Sequence, residues 1–581
     1  MPERVRKFGW VLMLAVGVLG TSCTPQGEAD GAAVNALADE FMAAYLERYP
    51  EMMTYFGIPA ARHDRLTDNS LGALAVWQAR EDDWMRRLDS LEPVAQVGSP
   101  EWAVLGILRE TLEGSVDMRK CRIDLWHVSE VDGWQTMLTY IAEIQPVGSD
   151  DLREQALARA RALSTYLDTE IQNLRKGLRL GYSAPRGNVD LVIDEGRALL
   201  EPSSPLRSPL ERDLDASFQA AYRNVLQKDV DPALQRYVAF LQDEYRQAAR
   251  EEISVAANPG GSDCYRASIR FHSTLQITPK KIHDLGLLQM DRIQKEMGVI
   301  SARSFGNADV RDLLHRLTSD PEYAFSSREE ILEYAHAAVA RAEAALPEWF
   351  GLVSRAKMKI EPYPVFREKS GTGEYQSASE DGSRPGIFYI PVRDPQTRPR
   401  AGLESLAFHE GFPGHHFQGS IALELGEASH PISRYLYNSG YSEGWGLYTE
   451  QLSDEMGLYS SDLDRMGMLS DQAGRAARLV IDTGLHEFGW SRQRAIDYLA
   501  ENTAWAPQDV VAEVDRYIVH PGQATAYMLG MLEIQRLRGR AEEALGPAFE
   551  IREFHDRVLE NGSVTLGMLE EKIEHWIANA S

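Results

Sequence analysis

The feature that most limits how this chain can fold is its run of long segments with apolar residues three and four positions apart, the spacing of one helix face. "VNALADEFMAAYLERYP" (34–50) has this spacing and stops at Pro50. "DLREQALARARALSTYLDTEIQNLRKGLRLG" (151–181) repeats it and ends on Gly181, a residue suited to a left-handed helix cap. "DPALQRYVAFLQDEYRQAAREE" (231–252) is a third such segment. "ITPKKIHDLGLLQMDRIQKEMGVI" (277–300) opens with Thr278 as a cap and Pro279 in the first turn. "SREEILEYAHAAVARAEAALPEWF" (327–350) and "VTLGMLEEKIEHWIANA" (564–580) continue the series.

Strand signals are few. "AKMKIEPYPVF" (356–366) and "GIFYIPV" (386–392) flank the Gly/Ser-rich "EKSGTGEYQSASEDGSRP" and predict a small hairpin or sheet. Regularly spaced β-branched runs are absent, which argues against a sandwich or barrel. With 44% hydrophobic residues the chain can fill a large core. The predicted class is mostly α, a large helical fold with that sheet beside it. "AANPGGSD" (256–263) marks a soft boundary. It divides an N-terminal helical region (36–260) from a C-terminal helical region (261–581), two halves of one fold, with the chemistry crowded into the second.

The N-terminus carries an address. Arg4, Arg6 and Lys7 precede the apolar run "FGWVLMLAVGVLG", too short for an ordinary membrane span but right for a signal peptide. It ends in "LGTSC", which resembles a bacterial lipoprotein signal over 1–22, with lipidation at Cys23. An ordinary secretory signal is the alternative. Residues 23–35 then read as a flexible tether. The expected location is the periplasmic or cell-envelope face, with the lipid anchor as the sole membrane contact. A formal charge of −26 argues against nucleic acid as a partner. Export makes a Cys121–Cys264 disulfide possible, although two isolated cysteines in so long a chain are more often buried thiols.

"AFHEGFPGHHFQ" (407–418) carries the main chemical signal. A hydrolytic zinc needs three protein ligands and an open position. A glutamate directly after the first histidine can act as base without ligating the metal. His409 and Glu410 fill those two slots. The second ligand is His415 or His416. On a straight helix neither serves: His415 sits about 120° around from His409, and His416 lies about 10.5 Å further along the axis. Pro413 breaks the helix, and Gly411 and Gly414 allow the chain to bulge. If Gly411–Pro413 loop outward, His415 takes the second position. "NSGYSEGWGLYTEQL" (438–452) supplies Glu443 as third ligand, with Glu450 one or two turns on as a group that orients a histidine ring.

"HEGFPGHHFQ", "SEGWGLYTEQ", "RLVIDTGLHEFGW", "HPGQATAYMLGMLEIQRLR" and "TPKKIHDLGLLQMDRI" together resemble the bacterial domain-of-unknown-function family 885, across most of the chain after about residue 35. That family is similar to helical zinc peptidases of the gluzincin type. The resemblance implies a zincin-like fold, one zinc on His409 and Glu443, and Glu410 as base. The two extra residues before "GH" depart from the relatives' pattern.

Other candidates surround this core. Asp482 and His486 either support the site or contact substrate, or they form an ordinary helical pair, with Arg478 beside Asp482. His520, Gln523 and Tyr527 sit near a Pro-Gly turn that opens a helix. Tyr527, then His520, is the candidate donor to an oxyanion; the alternative is that Tyr527 packs in a helix interface. The strand "GIFYIPV" offers an edge to an extended peptide, with Tyr389 and Arg398 as contacts. The expected function is a zinc-dependent peptidase acting on short peptides, although another divalent metal fits the same donors. The alternatives are a non-catalytic peptide- or metal-binding lipoprotein, or a metal hydrolase of a non-peptide amide or ester.

Overall fold

The computed structural model describes residues 26–58, 61–91, 96–363, 373–379, 384–426 and 429–580. The signal segment and Cys23 lie outside them. Among the described residues no helix is long and apolar enough to cross a membrane. Each long periodic segment is helical: Gln26–Arg48, Asp150–Arg179, Asp231–Phe240, Pro279–Ser304, Arg328–Trp349 and Leu566–Ala580. Thr278 caps as expected, its side chain accepting from the Lys281 amide. The tether expected over 23–35 is helical from Gln26 onward, and Ala32 and Ala33 favour that continuation.

Of the hairpin and the sheet expected from the sequence, the structure has the sheet. Strands β1 (Met358–Pro362) and β3 (Gly386–Ile390) pair in parallel, and β2 (Glu374–Gln376) pairs antiparallel to β3, giving the order β1-β3-β2. β2 comes from the Gly/Ser-rich segment between the two expected strands. "GIFYIPV" is therefore the central strand, flanked on both sides, and the sheet edge beside it is β2.

Two hydrophobic cores form. The buried residues of one lie within 128–249, including Leu167, Tyr222, Tyr237 and Tyr245, and Leu66 packs against them. The larger joins residues 34–126 to 255–577. Within it, helix Ser439–Glu455 lies against helix Ala526–Leu545 through glycines. A Cβ on Gly444 would sit 2.5 Å from the Gly530 backbone, and one on Gly530 would sit 1.8 Å from the Gly440 carbonyl. Only bare backbones allow this approach, and it fixes Tyr527 and Glu443 on facing helices.

Cys121 and Cys264 are disulfide-bonded, with Cα atoms 4.5 Å apart, so the reading as separate thiols is corrected. The bond ties the end of helix Pro100–Met118 to helix Gly261–Ser273, which together supply Glu110, Thr111 and His272 to the wall of the central cavity. Because the bond closes a long loop, Cys264→Ser is expected to cost about 2–4 kcal/mol of stability, seen as a lower melting temperature in non-reducing buffer. An unchanged melting temperature would show that the bond does not constrain the fold.

Candidate metal centre

His409 and Glu410 occupy the last turn of helix Leu403–Glu410. The chain leaves the helix at Gly411 and starts a new one, His415–Glu424. The expected bulge is therefore a complete break. Gly414 lies tight beneath the first helix, where a Cβ would stand 1.9 Å from the His409 carbonyl oxygen. The Trp445 indole donates to the Pro413 carbonyl at 2.9 Å and anchors the turn to helix Ser439–Glu455. Gly446, on that helix, makes room for the His409 imidazole, since a Cβ there would come within 2.7 Å of the ring.

These contacts bring His409, His415 and Glu443 together, with one ligating atom from each lying within 4.8 Å of the others. Glu443 Oε2 is 3.5 Å from His409 Nε2 and 3.4 Å from His415 Nε2. Both separations are long for hydrogen bonds. They match the edge of a tetrahedron about 3.4 Å long, the spacing of donors each about 2.0–2.1 Å from one zinc ion. The donor set is two imidazoles and a carboxylate, the chemistry of a catalytic zinc site. The residues therefore fit the metal that the resemblance implies.

The supporting contacts orient these donors. His409 Nδ1 lies 2.8 Å from Glu450 Oε1, so the ring donates there and points its Nε2 toward Glu443. Ser405 Oγ donates to the other Glu450 oxygen at 2.9 Å. The Tyr437 hydroxyl donates to Glu443 Oε1 at 2.7 Å, which leaves Oε2 for the histidines. Burial disfavours charge on Glu443, but His415 and His409 hold its carboxyl well below the usual range. Burial likewise opposes charge on His409, yet Glu443 and Glu450 push its imidazole up to about 10. Burial raises Glu410, against the pull of His409 and His415.

His416 belongs elsewhere. Its Nδ1 accepts from the Tyr375 hydroxyl of β2 at 3.0 Å, and its Nε2 faces the Ala356 carbonyl at 3.3 Å. Burial pushes it down to about 4, so it ties the sheet to the motif as a neutral ring.

A cavity of about 1200 Å³ opens over the centre, lined by His409, Glu410, His415 and Glu443 among others. Tyr527, His520, Gln523 and Arg398 line it too. Tyr527 is half-buried, with the Arg478 guanidinium 4.3 Å from its ring centroid. His520 Nδ1 is 3.6 Å from Asp132 Oδ2, and its ring meets that of His272. Gln523 accepts from Arg516. Tyr389 is not among the lining residues and stacks on Tyr363. In its place, residues 373–378 at the β2 edge line the cavity.

Asp482 and His486 are buried away from the cavity and do not bond each other. Asp482 accepts from the Tyr265 hydroxyl at 2.6 Å and the Gly522 amide at 3.0 Å, and so holds the turn before Tyr527. His486 Nδ1 accepts from the Val255 amide, and its Nε2 donates to the Tyr517 carbonyl. Arg478, expected beside Asp482, turns instead to Glu513 at 2.9 Å and to the Tyr517 hydroxyl at 3.0 Å.

Tyr437, Gly446, Trp445 and Ser405 escaped the sequence reading. The glycine pair of "EGWG" (443–446) is a signal that could have flagged a close approach. The side chain of Tyr437 carries no such signal, because its place depends on the tertiary fold.

A family model described as a bacterial protein of unknown function, DUF885, matches residues 50–573. A candidate lipoprotein from Colwellia psychrerythraea superposes with a TM-score of 0.88 at 26% identity, over 95% of this chain and 99% of that one. A candidate lipoprotein of unknown function from Shewanella oneidensis superposes with a TM-score of 0.73 at 15% identity, over 92% and 98% of the two chains. No curated protein gives a significant match.

The geometry separates the two adjacent histidines. In zinc titrations monitored by calorimetry, His415→Ala is expected to lose tight binding and His416→Ala to keep it. Glu450→Ala should weaken binding about 10–100-fold by releasing His409. Tight binding by His415→Ala alongside loss in His416→Ala would reverse the assignment.

Proposed function

We propose that this chain, which belongs to the bacterial DUF885 family, is a zinc-dependent peptidase that hydrolyses short peptides at the cell envelope. The observation that carries the reading is the convergence of His409, His415 and Glu443 beside Glu410 on the floor of one large cavity. Glu410 favours turnover over simple binding, since a site that only binds metal or peptide has no need of a base beside its donors. The arrangement resembles that of gluzincin peptidases, where a His-Glu helix meets a glutamate from a second helix.

A zinc ion on His409, His415 and Glu443 would supply Lewis-acid polarisation of the substrate carbonyl and of water. This chain's own residues do the rest. Glu450 fixes the His409 ring, and Tyr437 fixes Glu443. Glu410, raised by burial, takes a proton from the attacking water and returns it to the departing amine. Tyr527, across from Glu443, donates to the carbonyl oxygen as negative charge develops there. The cavity admits a flexible peptide more readily than a folded domain. The arginines and lysine before the apolar run, together with Cys23 and the lipoprotein description of the Colwellia relative, support an exported, lipid-anchored protein.

Two measurements test this. Purified protein, loaded with zinc, should cleave members of a mixed peptide library and stop when the metal is chelated. Glu410→Gln should keep its zinc but lose about 10²–10⁴-fold in rate. Zinc retention without any cleavage by the wild-type protein would favour a binding protein over an enzyme. Tyr527→Phe should lower kcat with little change in KM or zinc content, as expected for a group that acts mainly on the transition state. Unchanged kinetics would return Tyr527 to a packing role.

A further inference from the structure

The cavity wall beyond Tyr527 carries an arrangement that the hydrolytic reading leaves unused. Helix Asp462–His486 presents Arg478, and helix Pro507–Val519 presents Glu513 and Arg516. All three line the cavity. Glu513 Oε2 accepts from Arg478 Nη2 at 2.9 Å, Arg516 Nη2 at 2.8 Å and the Tyr517 hydroxyl at 2.7 Å. Two guanidiniums thus share one carboxylate, and that group carries a net positive charge.

Arg478 is 6% exposed, and its Nη1 is buried without a hydrogen-bond partner. Its Nε is committed to the Tyr517 hydroxyl, and its Nη2 to Glu513. A buried donor left unsatisfied is costly, and for a charged group more so. The vacant donor and the surplus charge point to an anionic oxygen ligand. Arg516 is committed through Nε and Nη2 to Glu513 and through Nη1 to Gln523, so Arg478 Nη1 is the donor left for one carboxylate oxygen, with the Arg516 charge beside it.

The position of the pair indicates whose carboxylate it is. Arg478 stacks 4.3 Å from the Tyr527 ring centroid. Tyr527 faces Glu443 because Gly530, one turn along its helix, packs against Gly444. A single aromatic side chain therefore separates the arginine pair from the metal donors. An extended peptide covers roughly 3.3–3.6 Å per residue, so a residue or two bridges that gap. We propose that Arg478, supported by the neighbouring charge of Arg516, binds the free C-terminal carboxylate of a peptide and that the enzyme cleaves within a residue or two of that end. This rests on the peptidase reading and adds the class of substrate: short peptides with a free C-terminus.

The test compares matched peptides that end in a free acid or an amide. With wild-type protein, kcat/KM for the acid should exceed that for the amide by about 10–100-fold, the effect of one charge-assisted hydrogen bond. The products should be C-terminal fragments of one or two residues. Arg478→Gln should erase the preference by slowing cleavage of the acid, mainly through KM. Should that variant fail to fold, the wild-type comparison decides alone. Equal cleavage of acid and amide, or internal cuts far from the C-terminus, would overturn the subsite and leave the peptidase reading intact. If no peptide is cleaved, calorimetry on Glu410→Gln protein separates the two ideas. Tighter binding of the acid than the amide keeps the subsite and removes the peptidase, and equal binding removes both.

Discussion

The site depends on how closely helix Ser439–Glu455 approaches the His409 helix. Gly446 permits that approach, because any side chain there would meet the imidazole. The approach has three consequences. Glu450 comes within 2.8 Å of His409 Nδ1, so the ring can turn only one nitrogen toward the cavity. Glu443, seven residues earlier, reaches that nitrogen from the same helix. Trp445 holds the Gly411–Gly414 turn through Pro413, and that turn delivers His415. Three donors from three segments are thus held by one packed interface, which gains stability from apolar burial.

The same interface explains which parts of the site were legible in the sequence. Helices announced themselves through periodicity, because each buries one face and the spacing of that face is written locally. That His409, Glu410 and Glu443 would come together was legible because their residue types and order suit metal chemistry. The choice of His415 over His416 followed from Pro413, whose missing amide forces the break. A small sheet was legible, but its pairing was not, because parallel pairing of β1 with β3 depends on partners distant in sequence, and β2 hides among glycines and serines. Asp482 and His486 were misread for a related reason. Their four-residue spacing puts them on one helix face, but spacing cannot reveal that Gly522, Tyr265, Val255 and Tyr517 claim their hydrogen bonds.

His416 shows how a residue can look like a ligand and serve the scaffold. It stands next to His415, yet the helix turns it about 100° away. There it meets Tyr375 and the Ala356 carbonyl, and with both nitrogens engaged it fastens the sheet to the motif. The sheet edge at β2 is thereby held beside the cavity. The strand chosen from sequence as a peptide-pairing edge is instead the central one, and its neighbour took over the exposed position.

Net charge illustrates the opposite limit of sequence reading. At −26 the chain disfavours polyanions as partners over its surface as a whole. Charges in solution are screened over about 8 Å at physiological ionic strength, so the total says little about a recess lined by its own groups. Two charged groups of the cavity lining bear on the site. Glu410 and Glu443 stand with the histidines on one side, and Arg478 and Arg516 stand on the other around Glu513. Tyr527 lies between, its ring against Arg478 and its helix locked to that of Glu443. A ligand that is neutral at one point and anionic a residue or two away matches this division. A uniformly acidic ligand does not, because its second charge would face the carboxylates.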